Sequence, residues 1–103
     1  MEYEIQFHRR AAWQIPRWGL SDYLLVELYL TLREVLAANP AEHLTHDPEG
    51  DGAFFSLMRT DPESPFFRHI FHFRVYFTPT DPHINIVEGS YYRVFVPGSF
   101  NDR

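Results

Sequence analysis

The stretch from Pro65 to Phe77 decides most of what this chain can fold into. Odd positions Phe67, Phe71, Phe73, Val75 and Phe77 are apolar, while even positions Arg68, His72 and Arg74 carry guanidinium and imidazole groups, with Ile70 and Tyr76 among them. Side chains alternate across a strand, so the pattern predicts one long strand with an apolar face toward a core and an Arg/His face away from it. An Arg/His face suits phosphate or a partner's carboxylates, and it suits plain solvation as well. His69 falls in the inward set, where a lone histidine is expected at the core edge, bonded to a backbone carbonyl.

The rest of the chain arranges itself around that strand. Tyr3, Ile5 and Phe7 alternate with polar residues and predict a half-buried opening strand. A short helix begins near His8 and is limited by Pro16 and Gly19. Ser21 is a good N-cap for a main helix from about Asp22 to Ala38, which Asn39-Pro40 ends. Its core stripe is Leu24, Leu25, Leu28, Tyr29, Leu32, Val35 and Leu36, and a flanking stripe of Tyr23, Val26, Leu30 and Ala37 gives it a second packing surface. That surface is either covered by the short helix or left for a partner, in which case Val26 and Leu30 are the contact.

A polar connection over 39–52 leads to a strand over 53–59, a turn, and the long strand. The turn at 78–82 leads to a further strand over 84–88, and Tyr91 to Val96 follow Gly89-Ser90. The order β-α-α-β-β-β predicts an α+β domain, with two helices packed on a mainly antiparallel four-stranded sheet. Residues 1–103 are read as one domain with a loose tail from about residue 97.

Composition narrows the chemistry. All nine cations are Arg and fourteen carboxylates bring the formal charge to −5, so no lysine acts as base or Schiff-base former. An acidic chain also argues against indiscriminate nucleic-acid binding, though not against a local Arg/His patch. There is no cysteine, which excludes disulfides and thiolate metal sites. The apolar stretch of the main helix is broken by Glu27, Thr31, Arg33 and Glu34, so no membrane span is expected, nor is a signal peptide visible; a cytoplasmic protein is the expectation.

No cofactor or metal is expected. His43 and His46 lie in an acidic loop that matches no dedicated ligand spacing, and His69 and His72 point to opposite faces of one strand. Gly50-Asp51-Gly52 leads into a strand where a phosphate-binding loop would lead into a helix. The group left is Arg68, His72 and Arg74, joined by Arg59, Tyr91, Tyr92 and Arg93. Arg stabilises charge on a scissile phosphate, and His or Tyr transfers protons. Metal-free RNA cleavage needs little more. Arg68, His72, Arg74, Tyr91 and Tyr92 are therefore the candidate catalytic residues, and a solvated or protein-binding face is the alternative.

Several short motifs resemble the RelE/ParE toxin superfamily of bacterial toxin–antitoxin modules over about residues 3–93. Tyr3-x-Ile5-x-Phe7 followed by Arg10-Ala11 looks like that family's first strand and helix entry. Leu36 to Pro40 looks like the end of its second helix. Phe67-Arg68-His69-Ile70-Phe71 is similar to its Tyr-Arg-x-x-Tyr strand, with the Arg retained. The resemblance implies ribosome-dependent mRNA cleavage or gyrase inhibition, neutralised by a small antitoxin, with Arg68 on substrate phosphate. Two departures stand out. The second strand has Phe54 to Met58 where nuclease members alternate lysines, and the fourth ends in Glu88-Gly89-Ser90 where His or Arg is frequent. With these departures the resemblance implies a weak or lost ribonuclease or a ParE-like gyrase inhibitor, and the competing expectation is a non-catalytic module that binds a partner or itself through the sheet face or the helix over 22–38.

Overall fold

Short turns tie the long strands together, and each turn is closed by an aspartate. In the computed structural model, which describes residues 3–78 and 80–97, strand β3 (Ala53–Asp61) turns through Pro62 and Glu63 into β4 (Ser64–Tyr76). Asp61 accepts the Glu63 N–H at 2.9 Å, and Asp81 does the same for the His83 N–H at 2.9 Å where β5 (His83–Phe95) begins. Such side-chain-to-backbone bonds replace ladder bonds that the turning chain cannot make.

The strands form one α+β sheet in the order β1-β5-β4-β3-β2, where β1 is Glu4–Phe7 and β2 is Thr45–His46. Against the expectation of a mainly antiparallel four-stranded sheet it shows one parallel pair and one further strand. β1 runs parallel to β5, with Ile5 beside Ile84 and Phe7 beside Ile86, and the polar connection contributes a short fifth strand against β3. The segments expected as separate at 84–88 and 91–96 are one strand, because Gly89 continues the ladder opposite Phe73. Gly89 is glycine for reasons of space. A Cβ there would come within 3.0 Å of the Trp18 ring and 3.1 Å of Phe73.

The helices are α1 (Arg9–Gln14), α2 (Asp22–Thr31) and a single turn α3 (Pro40–His43). Ser21 caps α2, its hydroxyl accepting the Leu24 N–H at 3.3 Å, as expected from the sequence. The main helix does not run unbroken to Ala38. Past Thr31 it widens, and the Ala37 N–H reaches back five residues to the Leu32 carbonyl at 3.0 Å. That keeps both Leu36 and Ala37 in the core, so Ala37 belongs to the buried side and not to the flanking stripe. Tyr23, Val26 and Leu30 stay exposed, and α1 packs on β5 instead of covering them.

The core is where the inward face of the sheet meets these helices. Phe55, Phe71, Phe73, Val75, Ile84 and Ile86 pack with Ala11, Ile15, Leu28, Leu32 and Leu36. The opposite face, carrying Ser56, Met58, Ile70, His72 and Tyr92, has no helix over it among the described residues. The tail from Gly98 onward lies outside the described residues. Among the described residues no helix is long and apolar enough to cross a membrane.

Candidate active site

One extra residue in β5 decides which tyrosine meets which histidine. Arg74 pairs with Glu88 but Val75 pairs with Ile86, so Val87 is a bulge. A one-residue bulge moves every later side chain to the other face. Ile84 and Ile86 point inward before it, and Gly89, Tyr91 and Arg93 point inward after it. Tyr92 goes outward. The predicted group Arg68, His72, Arg74, Tyr91 and Tyr92 is thus divided between two faces, and Arg59 and Arg93 also lie on the helix side.

On the outward face the cations are already engaged. Arg68 donates to the carbonyls of Pro65 at 2.7 Å and Phe67 at 3.2 Å. Arg74 donates to Asp47 at 3.2 Å and lies over the Phe54 ring. His72 bridges the hydroxyls of Ser56 at 2.6 Å and Tyr92 at 3.2 Å. Val26 and Leu30 remain exposed on α2.

The inward set forms a relay. His69, only 5% exposed, has a partner on each ring nitrogen. Nε2 lies 3.2 Å from the Asp61 carboxylate and Nδ1 lies 2.7 Å from the Tyr91 hydroxyl. Neither partner is the backbone carbonyl expected from the sequence. An ionised carboxylate only accepts, so Nε2 donates to Asp61, and in the neutral imidazole Nδ1 is then the acceptor for the Tyr91 O–H. Asp61 also receives Arg93 at 3.2 Å. The Glu63 N–H, with His69 and Arg93 beyond it, holds the Asp61 carboxyl below the usual carboxylate range. Burial pushes the Tyr91 phenol up, so it keeps its proton at neutral pH.

Packing fixes the geometry. Tyr91 stacks on His69 and Phe71, and Trp18 covers Tyr91 from the helix side with ring centres 5.7 Å apart. Arg93 is held flat on Phe67, 3.8 Å from the ring centre. The four polar groups line an open cleft of about 550 Å³ between the β3–β4 turn and the start of α2, where Leu20, Tyr23 and Leu24 form the apolar wall. Asp61, His69 and Arg93 were not among the predicted catalytic residues. The signal for His69 was its inward position between two phenylalanines; Asp61 read as a turn residue and nothing more. Among the described residues no three His, Asp or Glu side chains converge as a metal site would require. Compared with protein families, curated proteins and solved structures, the chain matches none of them.

Proposed function

We propose that this chain is a toxin-related protein of RelE/ParE type that cleaves RNA slowly without a metal, and that the chemistry runs in the Tyr91–His69–Asp61–Arg93 cleft. One observation supports this most: a buried histidine oriented on one nitrogen by a carboxylate and bonded on the other to a hydroxyl that lines an open cleft. Asp61 fixes the tautomer, as the acid does in any such triad. Tyr91 then takes a proton from a ribose 2′-hydroxyl while passing its own to His69 Nδ1, and Asp61 stabilises the imidazolium. The freed 2′-oxygen attacks the neighbouring phosphorus, the bond to the 5′-oxygen breaks as that oxygen takes a proton from water, and a 2′,3′-cyclic phosphate is left; His69 then gives up its extra proton to the hydroxide formed. Arg93 is placed for the charge that develops on phosphate. The cleft sets this single guanidinium against Asp61 and Glu63, which suits a slow enzyme and agrees with the missing lysines of β3. Arg68 stands beside His69 in β4 but on the other face, so a strand of RNA rounding the end of the sheet meets both.

The test is cleavage of ribosome-bound message and of a short single-stranded RNA in the presence of a chelator. The parent should yield cyclic-phosphate ends. His69→Gln and Tyr91→Phe should each lose about 10²–10⁴-fold in rate, and Arg68→Ala should weaken binding with a shallower salt dependence. No cleavage by the parent removes the reading. A second reading, a non-catalytic module that binds an antitoxin-like partner, is favoured by the uncovered row of Met58, Ile70 and Tyr92, which face one another across β3, β4 and β5. Co-purification of a short peptide, lost on Met58→Asp, distinguishes it.

A further inference from the structure

We propose that two copies of this chain join edge to edge through β1, about a two-fold axis at Ile5. Among the described residues β1 ends the sheet and is hydrogen-bonded on one side only. The Glu4 N–H donates to the Pro82 carbonyl at 2.8 Å and the His8 N–H to the Ile86 carbonyl at 2.9 Å. Successive residues of a strand turn their backbone groups to opposite sides, so Tyr3, Ile5 and Phe7 present theirs to the open edge. Above that edge is a mainly apolar groove of about 530 Å³, lined by Tyr3, Ile5 and Phe7 below and by Val26, Tyr29 and Leu30 of α2 above, with Glu4 and Arg33 as its charged members. Val26 is 57% exposed and Leu30 41%, although both sit in an otherwise apolar helix. A strand added here gains ladder bonds from β1 and covers both side chains.

The sequence of β1 selects the occupant. Tyr3-Glu4-Ile5-Gln6-Phe7 reads aromatic, polar, Ile, polar, aromatic in either direction. Antiparallel pairing centred on Ile5 sets Tyr3 against the partner's Phe7 and Phe7 against the partner's Tyr3, and aromatic pairs of this kind stabilise a ladder. It sets Glu4 against the partner's Gln6, so no like charges meet at the seam even though each chain carries a formal charge of −5. Ile5 pairs with itself, as an isologous interface requires. The two α2 helices then lie side by side over the seam, with Val26 and Leu30 between them.

Sedimentation equilibrium over a dilution series tests this on the intact chain. The parent should show a monomer–dimer equilibrium. Gln6→Glu places two carboxylates against each other at both symmetric positions and should loosen the dimer about fivefold, while Gln6→Arg should tighten it by a similar factor. Residue 6 is exposed on a strand whose β5 ladder is untouched, so thermal melts of both variants at dilutions where the chain is monomeric should match the parent. Val26→Asp with Leu30→Asp should give monomer throughout. A parent that sediments as monomer at every concentration overturns the proposal, as does a dimer indifferent to the charge at residue 6.

Discussion

Replacing Asp61 with Asn tests the relay through stability as well as chemistry. The side chain is 13% exposed and accepts three bonds, from the Glu63 N–H at 2.9 Å, from His69 Nε2 at 3.2 Å and from Arg93 at 3.2 Å. Asn keeps an acceptor for Glu63 but turns an NH₂ toward two donors. His69 answers by moving its proton to Nδ1, which exchanges a charged bond for a neutral one and deprives the Tyr91 hydroxyl of its acceptor. Bonds to a charged group contribute about 1.5–3 kcal/mol and neutral ones about 0.5–1.5. The His69 exchange therefore costs about 1–1.5 kcal/mol, and the Glu63 bond weakens by a smaller amount. Arg93 has a side chain 47% exposed, so its share is discounted to under about 1 kcal/mol. The sum is about 1–3 kcal/mol at pH 7. The pH dependence follows from the sign of the shift. The Asp61 carboxyl is held below its ordinary value, so its stabilisation is present above the unfolded value near 4 and is lost as pH falls through the native one. Urea unfolding of parent and Asp61→Asn should differ most between pH 5 and 7, and the gap should narrow toward pH 3. A gap under about 0.5 kcal/mol at pH 7, or one that grows on acidification, would refute the account of Asp61.

Three other substitutions probe how the site is supported. Leu28→Ala or Leu32→Ala removes a fully buried side chain from the contact of the main helix with Phe71, Phe73 and Val75, and each should cost about 2–5 kcal/mol in chemical denaturation. Gly89→Ala forces a methyl against Trp18 and Phe73 and should cost about 1–3 kcal/mol; because Trp18 also covers Tyr91, its fluorescence should shift in the folded variant. An alanine tolerated without either change would mean that Gly89 is not the close approach described above.

Much of this protein follows from its sequence by local rules. The alternation from Phe67 to Val75 set the two faces of β4, because a strand's side-chain period is fixed at two. Ser21 and the leucine spacing set the start and buried side of α2, because a cap and a helical stripe need only neighbours a few residues away. The hinge of the candidate site was different. A reading that lets Tyr91, Tyr92 and Arg93 follow the strand puts them together, whereas the bulge at Val87 sends Tyr91 and Arg93 in to His69 and Tyr92 out to His72. No local propensity marks that bulge, which lies just past Ile86, the last residue of β5 paired with β1. The pairing of Asp61 with His69 and Arg93 likewise depends on a ladder that brings residues eight and thirty-two positions apart into contact. The parallel attachment of β1 to β5 is long-range in the same sense. Sequence set which face each residue of β4 takes, and tertiary pairing chose the residues that meet there.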